Sequence, residues 1–111
     1  MTKRVKHENT KVIKLNDAFR TSMVGGSYVL TSGIAALSPA DLGAVMHKVR
    51  TFDAFTEDDD TEGEHECGSF EHNGVQIVWK IDYYDRQIEW HADPEDPETS
   101  RVLTIMLASE Y

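Results

Sequence analysis

Apolar positions set the first boundaries in this chain. Val12, Leu15, Phe19 and Met23, with Ile13 and Ala18 beside them, recur at spacings of three and four, the stripe of an amphipathic helix. Gly25 and Gly26 end it. Residues 27–34 are rich in Tyr, Val, Leu and Thr and read as a strand. A second helix carries better start signals: Ser38 can cap it, Pro39 suits its first position, and Asp41 favours the positive end of its dipole. Leu42, Val45, Met46, Val49 and Phe52 then form its inner face.

From Cys67 onward the period changes to two. Asn73-Gly74, a hairpin turn pair, separates residues 68–72 from a long strand in which Val75, Ile77, Trp79, Ile81 and Tyr83 point one way. Gln76, Lys80 and Asp82 point the other way, and Val78 is the exception. Residues 84–86 turn the chain into a short stretch over 87–91, followed by a proline-stiffened acidic loop at 93–98. Residues 101–107 are branched and apolar enough for a buried strand, although their length also permits a short helix. Helices early and consecutive short strands late predict an α+β domain: an antiparallel sheet of about four to five strands with two helices packed on one face. Residues 1–9 are polar, basic and without periodicity, which predicts a flexible arm before a single domain over 10–111.

Charge changes this picture most. Residues 53–98 hold 16 Asp or Glu against only Lys80 and Arg86, whereas residues 1–52 hold 8 Lys or Arg against Glu8, Asp17 and Asp41, in a chain of net charge −9. So acidic a surface argues against direct contact with nucleic acid, whose binding rests on Lys and Arg neutralising phosphates. No apolar run approaches the roughly 20 residues that span a bilayer, and the basic start is not followed by the apolar stretch of a secretory signal. The single cysteine, Cys67, cannot form an internal disulfide and fits a reducing compartment, so a cytoplasmic location is expected.

Several separated strings, RVLTIMLASEY at 101–111, WKIDYYD at 79–85, LNDAFR at 15–20, VLT at 29–31, residues 52–55 and the acidic loop at 55–66, occur in order. Together they resemble a bacterial family known as domain of unknown function 3768, over roughly residues 12–111. The family loop carries a proline and an aromatic where this chain has Thr61 and Cys67. The resemblance implies a small accessory protein of the kind borne on plasmids and other mobile elements, with no assigned activity.

Candidate chemistry is sparse. Asp58, Asp60 and Glu62, with Gly63 after them, match the opening of a calcium loop, but the twelfth position, where a bidentate Glu belongs, is Ser69. Glu64, His65, Cys67 and His72 are of zinc-binding types but lack a paired Cys-x-x-Cys frame. Asp82 and Asp85 with Tyr83, Tyr84 and His91 could serve acid–base work, yet strand alternation and turn chemistry explain them equally well. No glycine loop cradles a phosphate, and no cofactor is implied. Trp79 belongs to the core and Trp90 to the surface, where an aromatic can anchor an interface.

The expectation is therefore a binding module that is not an enzyme. Its partner would be a protein with a basic surface, met through Glu57, Asp58, Asp59, Asp60, Glu62, Glu64, Glu66, Trp90, Asp93, Glu95 and Asp96. Spaced carboxylates there could imitate nucleic-acid phosphates and occupy a defence protein's basic cleft. The alternative is a calcium- or magnesium-dependent protein, or a metal-dependent enzyme, built on the loop at 58–66.

Overall fold

A computed structural model describes residues 10–58, 60, 62–85 and 90–111. The expected basic arm at 1–9, Asp59 and most of the stretch at 87–91 lie outside these residues. Four strands, β1 (Gly26–Leu30), β2 (Cys67–His72), β3 (Val75–Tyr84) and β4 (Ser100–Leu107), form one sheet in the order β1-β4-β3-β2. The helices are α1 (Thr10–Ser22), the single turn α2 (Ser32–Ala35) and α3 (Pro39–Arg50). A short 3-10 helix, Ala108–Glu110, follows β4.

The α+β class holds, with one change in the sheet. β2–β3 and β3–β4 are antiparallel, but β1 pairs with β4 in parallel, Gly26 opposite Arg101 and Leu30 opposite Ile105, so the sheet is mixed. Residues 101–107 are a strand, and a central one. An edge position for them is thereby ruled out. Alternation alone cannot state the direction in which two distant strands meet, because side-chain period is the same in both.

Period two holds along β3 from Ile77 onward, whereas Val75, expected on the inner face, is exposed at the hairpin end of the strand. Ile77, Trp79, Ile81 and Tyr83 are buried on one face. They meet Val12 and Phe19 of α1, Ile34 of α2, Val45 and Val49 of α3, and Leu103 and Ile105 of β4 in one core. The helices thus cover one face of the sheet, and Trp79 lies at its centre, fully buried, with Phe52 edge-on at 5.5 Å. Asn73 and Gly74 both take the left-handed backbone, φ 52° and 77°, as the hairpin turn requires. Ser38 caps α3, its hydroxyl accepting from the Asp41 N–H at 3.1 Å.

The first strand is shorter than its composition suggests. It stops at Leu30, and the chain turns into α2 where a strand was expected to continue to Ile34. The reason lies far along the chain: the Glu110 carboxylate accepts from the Thr31 hydroxyl at 2.6 Å and from the Gly33 N–H at 2.9 Å. These bonds hold Glu110 below the usual carboxylate range, the Thr31 bond first among them.

Gly68 is packed closely against two aromatic rings of the core. A Cβ there would come within 2.7 Å of both Trp79 Nε1 and the Phe52 ring. We expect Gly68→Ala to destabilise the protein by about 1–3 kcal/mol through overpacking, measured by urea unfolding. A change below about 0.5 kcal/mol would show that Phe52 can yield.

Candidate functional site

Where β3 ends and β4 begins, the apolar alternation carries polar residues into the core. Tyr83 and Arg101 are register partners on the helix-facing side, and the Arg101 guanidinium lies 5.4 Å from the Tyr83 ring centroid. Above them α1 places Asn16, fully buried, one helical turn after Val12. The Asn16 amide donates to the Tyr83 hydroxyl at 2.8 Å and to the Glu64 carbonyl at 3.0 Å. Its oxygen accepts from Arg101 Nε at 2.7 Å. The Tyr83 hydroxyl donates to Glu64 Oε1 at 3.0 Å, and Arg101 Nη2 donates to the Pro94 carbonyl.

This cluster joins the two acidic loops. Glu64 belongs to the loop at 56–66 and Pro94 to the loop at 93–99, and Asn16 with Arg101 bridges them. Burial lowers the proton affinity of Arg101, opposed by the negative charges of Glu64 and Asp96. Burial also pushes the Tyr83 hydroxyl well above its ordinary value, so it remains a donor at any physiological pH.

The first acidic loop is wound around one of its own carboxylates. Asp60, 7% exposed, accepts from the N–H of Glu64 at 3.1 Å, of His65 at 3.0 and 3.1 Å, and of Glu66 at 3.4 Å. His65 takes a left-handed backbone, φ 56°, a conformation that is uncommon outside glycine. Its ring stacks on Phe55 at 3.8 Å, and its Nδ1 lies 3.0 Å from Asp17 of α1. Asp17 also accepts from Arg20, whose other nitrogen donates to the Val49 carbonyl at 2.8 Å and the Arg50 carbonyl at 3.1 Å. The Arg20 guanidinium stands 5.3 Å from the Trp79 ring and 5.5 Å from Phe55. Loop, α1 and the end of α3 are thereby locked together.

The residues expected to meet a partner divide in two. Glu57, Asp58, Glu62, Asp93, Glu95 and Asp96 are exposed, and Trp90 is 72% exposed. Asp60 and Glu64 are turned inward, Glu64 being 8% exposed, and Glu66 is half-buried. Asp59 lies outside the described residues. An acidic string does not disclose which of its members the backbone will need as acceptors, and this explains the three that differ from the expectation.

The metal candidates are not brought together. Asp60 spends its carboxylate on backbone N–H groups, whereas Asp58 and Glu62 are exposed. His65 is held by Asp17, and His72 by Asp41 at 3.1 Å. Among the described residues no group of three or more His, Cys, Asp or Glu could hold an ion. Asp82 pairs with Lys80 at 2.8 Å, and Tyr83 faces the core away from it. The residues that sequence reasoning passed over are Asn16 and Arg101. Their signal was positional: Asn16 interrupts the apolar stripe of α1, and Arg101 falls on the inward phase of β4.

Taken together, these features define a two-layer α+β protein whose sheet carries, at one end, two acid-bearing loops tied to a buried Asn–Tyr–Arg–Glu cluster. The family described as protein of unknown function (DUF3768) matches residues 30–110, and the chain belongs to it. Comparisons with curated proteins and with solved structures give no match. Among the described residues no helix is long and apolar enough to cross a membrane.

Because Asn16 serves Tyr83, Glu64 and Arg101 at once, Asn16→Leu should cost about 3–5 kcal/mol, the scale for leaving a buried charge uncompensated. Asp60→Ala should cost about 1–3 kcal/mol by stripping several N–H groups of their acceptor. Thermal or urea unfolding checks both, and a near-neutral Asn16→Leu would show that Arg101 finds other partners.

Proposed function

We propose that this protein is a small binding module whose acidic end docks on a basic surface of a partner protein. The observation that carries the reading is that both acidic loops are anchored to one buried cluster, with Glu57, Asp58, Glu62, Asp93, Glu95 and Asp96 exposed around it. Fixed carboxylates create a directional negative field, which speeds and orients association with a positive partner. Trp90 adds an exposed aromatic beside the second loop, the residue type that most often supplies contact energy in an interface.

A nucleic-acid-handling protein is the partner that fits best, since its cleft is shaped to accept spaced negative charge. A nuclease or restriction enzyme of a defence system would be occupied by charge mimicry, a role suited to an accessory carried on a mobile element. The likeness is to phosphate spacing in general and involves no direct contact with nucleic acid.

Affinity capture from the native host, in steps of rising salt, tests this reading. The expected partner is a basic nucleic-acid-handling protein, retained at low salt and released as salt rises. Glu57→Gln, Asp58→Asn and Glu62→Gln combined should weaken its binding about tenfold or more, through the association rate, without changing the melting temperature by more than a few degrees. Capture of neutral proteins alone, or affinity indifferent to both salt and the triple change, would sink the proposal.

A further inference from the structure

Glu66 sits in surroundings that do not suit a charge. Its carbonyl accepts from the Ile81 N–H at 2.7 Å, which sets it in line with Gly68 and Phe70 on the helix-facing side of the hairpin. Its Oε1 is enclosed and takes no hydrogen bond among the described residues. The groups that act on it are acidic or neutral: Asp60, Glu62 and Glu64 from its own loop, and Tyr83 from β3.

The groups that α1 brings to this loop are engaged elsewhere. Asn16 serves the Glu64 carbonyl and Tyr83, Arg20 serves Asp17 and the carbonyls of α3, and Asp17 faces His65. Among the described residues none forms an ion pair with Glu66. Asp60 cannot retreat, since its oxygens hold the N–H groups of residues 64, 65 and 66.

We propose that the turn in which residues 64–66 close on Asp60 is a proton-gated element: its closed form keeps Glu66 neutral, with the proton donated to the Asp60 carboxylate, and loss of that proton releases the turn. A neutral Glu66 removes one of three crowded negative charges and gives Asp60 a further donor. Once ionised, the same carboxyl stands enclosed beside two carboxylates, and opening the turn returns it to water. The gate concerns the turn's own equilibrium and holds whether or not the acidic end binds a basic partner.

Burial, and after it the charges of Glu64 and Asp60, push Glu66 up to about 7. In the open turn it titrates near the ordinary value of about 4.3. The closed form therefore binds the extra proton between those values. Its advantage is complete below about pH 4, falls as pH rises toward 7, and levels off above that.

Amide hydrogen exchange at Glu64, His65 and Glu66, corrected for intrinsic rate, reads the gate directly. Protection should fall about tenfold or more between pH 5.5 and 7.5 in the wild type and by much less in Glu66→Gln. Histidine protonation occurs over the same range, but the His65–Asp17 pair is common to both proteins and cancels in the comparison. An equal pH dependence in the two, or none in the wild type, overturns the proposal. Should Glu66→Gln fail to fold, the carboxyl carbon shift of Glu66 in the wild type decides instead. A midpoint near neutrality supports the gate, and one near pH 4 removes it.

Discussion

Burying Arg101 where β3 meets β4 is the constraint around which this structure is arranged. A guanidinium taken out of water costs several kcal/mol unless its donors find acceptors. Here Asn16 supplies one acceptor, the Pro94 carbonyl another, and the Tyr83 ring lies beside the cation. Each acceptor fixes a different part of the chain: Asn16 orients α1 over the sheet, and Pro94 holds the second acidic loop against its end. Tyr83 passes the connection on to Glu64 and so to the first loop. The same contacts that make the charge tolerable therefore bring distant segments to one place.

The acidic residues do two kinds of work, and the division follows what the backbone needs. Asp60 supplies the acceptor that a tight loop lacks, Glu64 accepts from the Tyr83 hydroxyl, and Glu110 satisfies the start of α2. Asp41 joins the start of α3 to the hairpin by accepting from Ser38, His72 and Asn73, and the His72 bond leads in holding its carboxyl below the usual range. The exposed carboxylates Glu57, Asp58 and Glu62 lie in the loop that Asp60 and Glu64 hold, and those along 93–98 lie in the loop held through Pro94 and Arg101. A negative surface is thus scaffolded in part by negative residues, which is stable only because the buried members are matched to donors.

Much of the fold was legible because its strongest signals are local. The stripe Val12–Leu15–Phe19, the cap at Ser38 with Pro39, and the Asn73-Gly74 turn act over one to four residues, and each appears where expected. Strand β3 shows period two because one face is covered by helices and the other is not. The candidate site was less legible. The exposed acids could be read from loop composition, but Asp60, Glu64 and Glu66 differ from their neighbours only through contacts made elsewhere. Asn16 and Arg101 stood in apolar phase, a hint of burial that carried no name for the partner.

By itself, the sequence determined the two longer helices, the hairpin turn, the inner face of β3 from Ile77 onward and the concentration of negative charge after residue 53. These are properties of neighbours, fixed by steric preference and by periodicity. Only the tertiary structure decided that β1 lies parallel to a central β4, that residues 32–35 turn into a helix under Glu110, and that the two acidic loops share one buried anchor. Those outcomes depend on hydrogen bonds between residues tens of positions apart, chosen by which buried polar group can reach which acceptor once the core has closed.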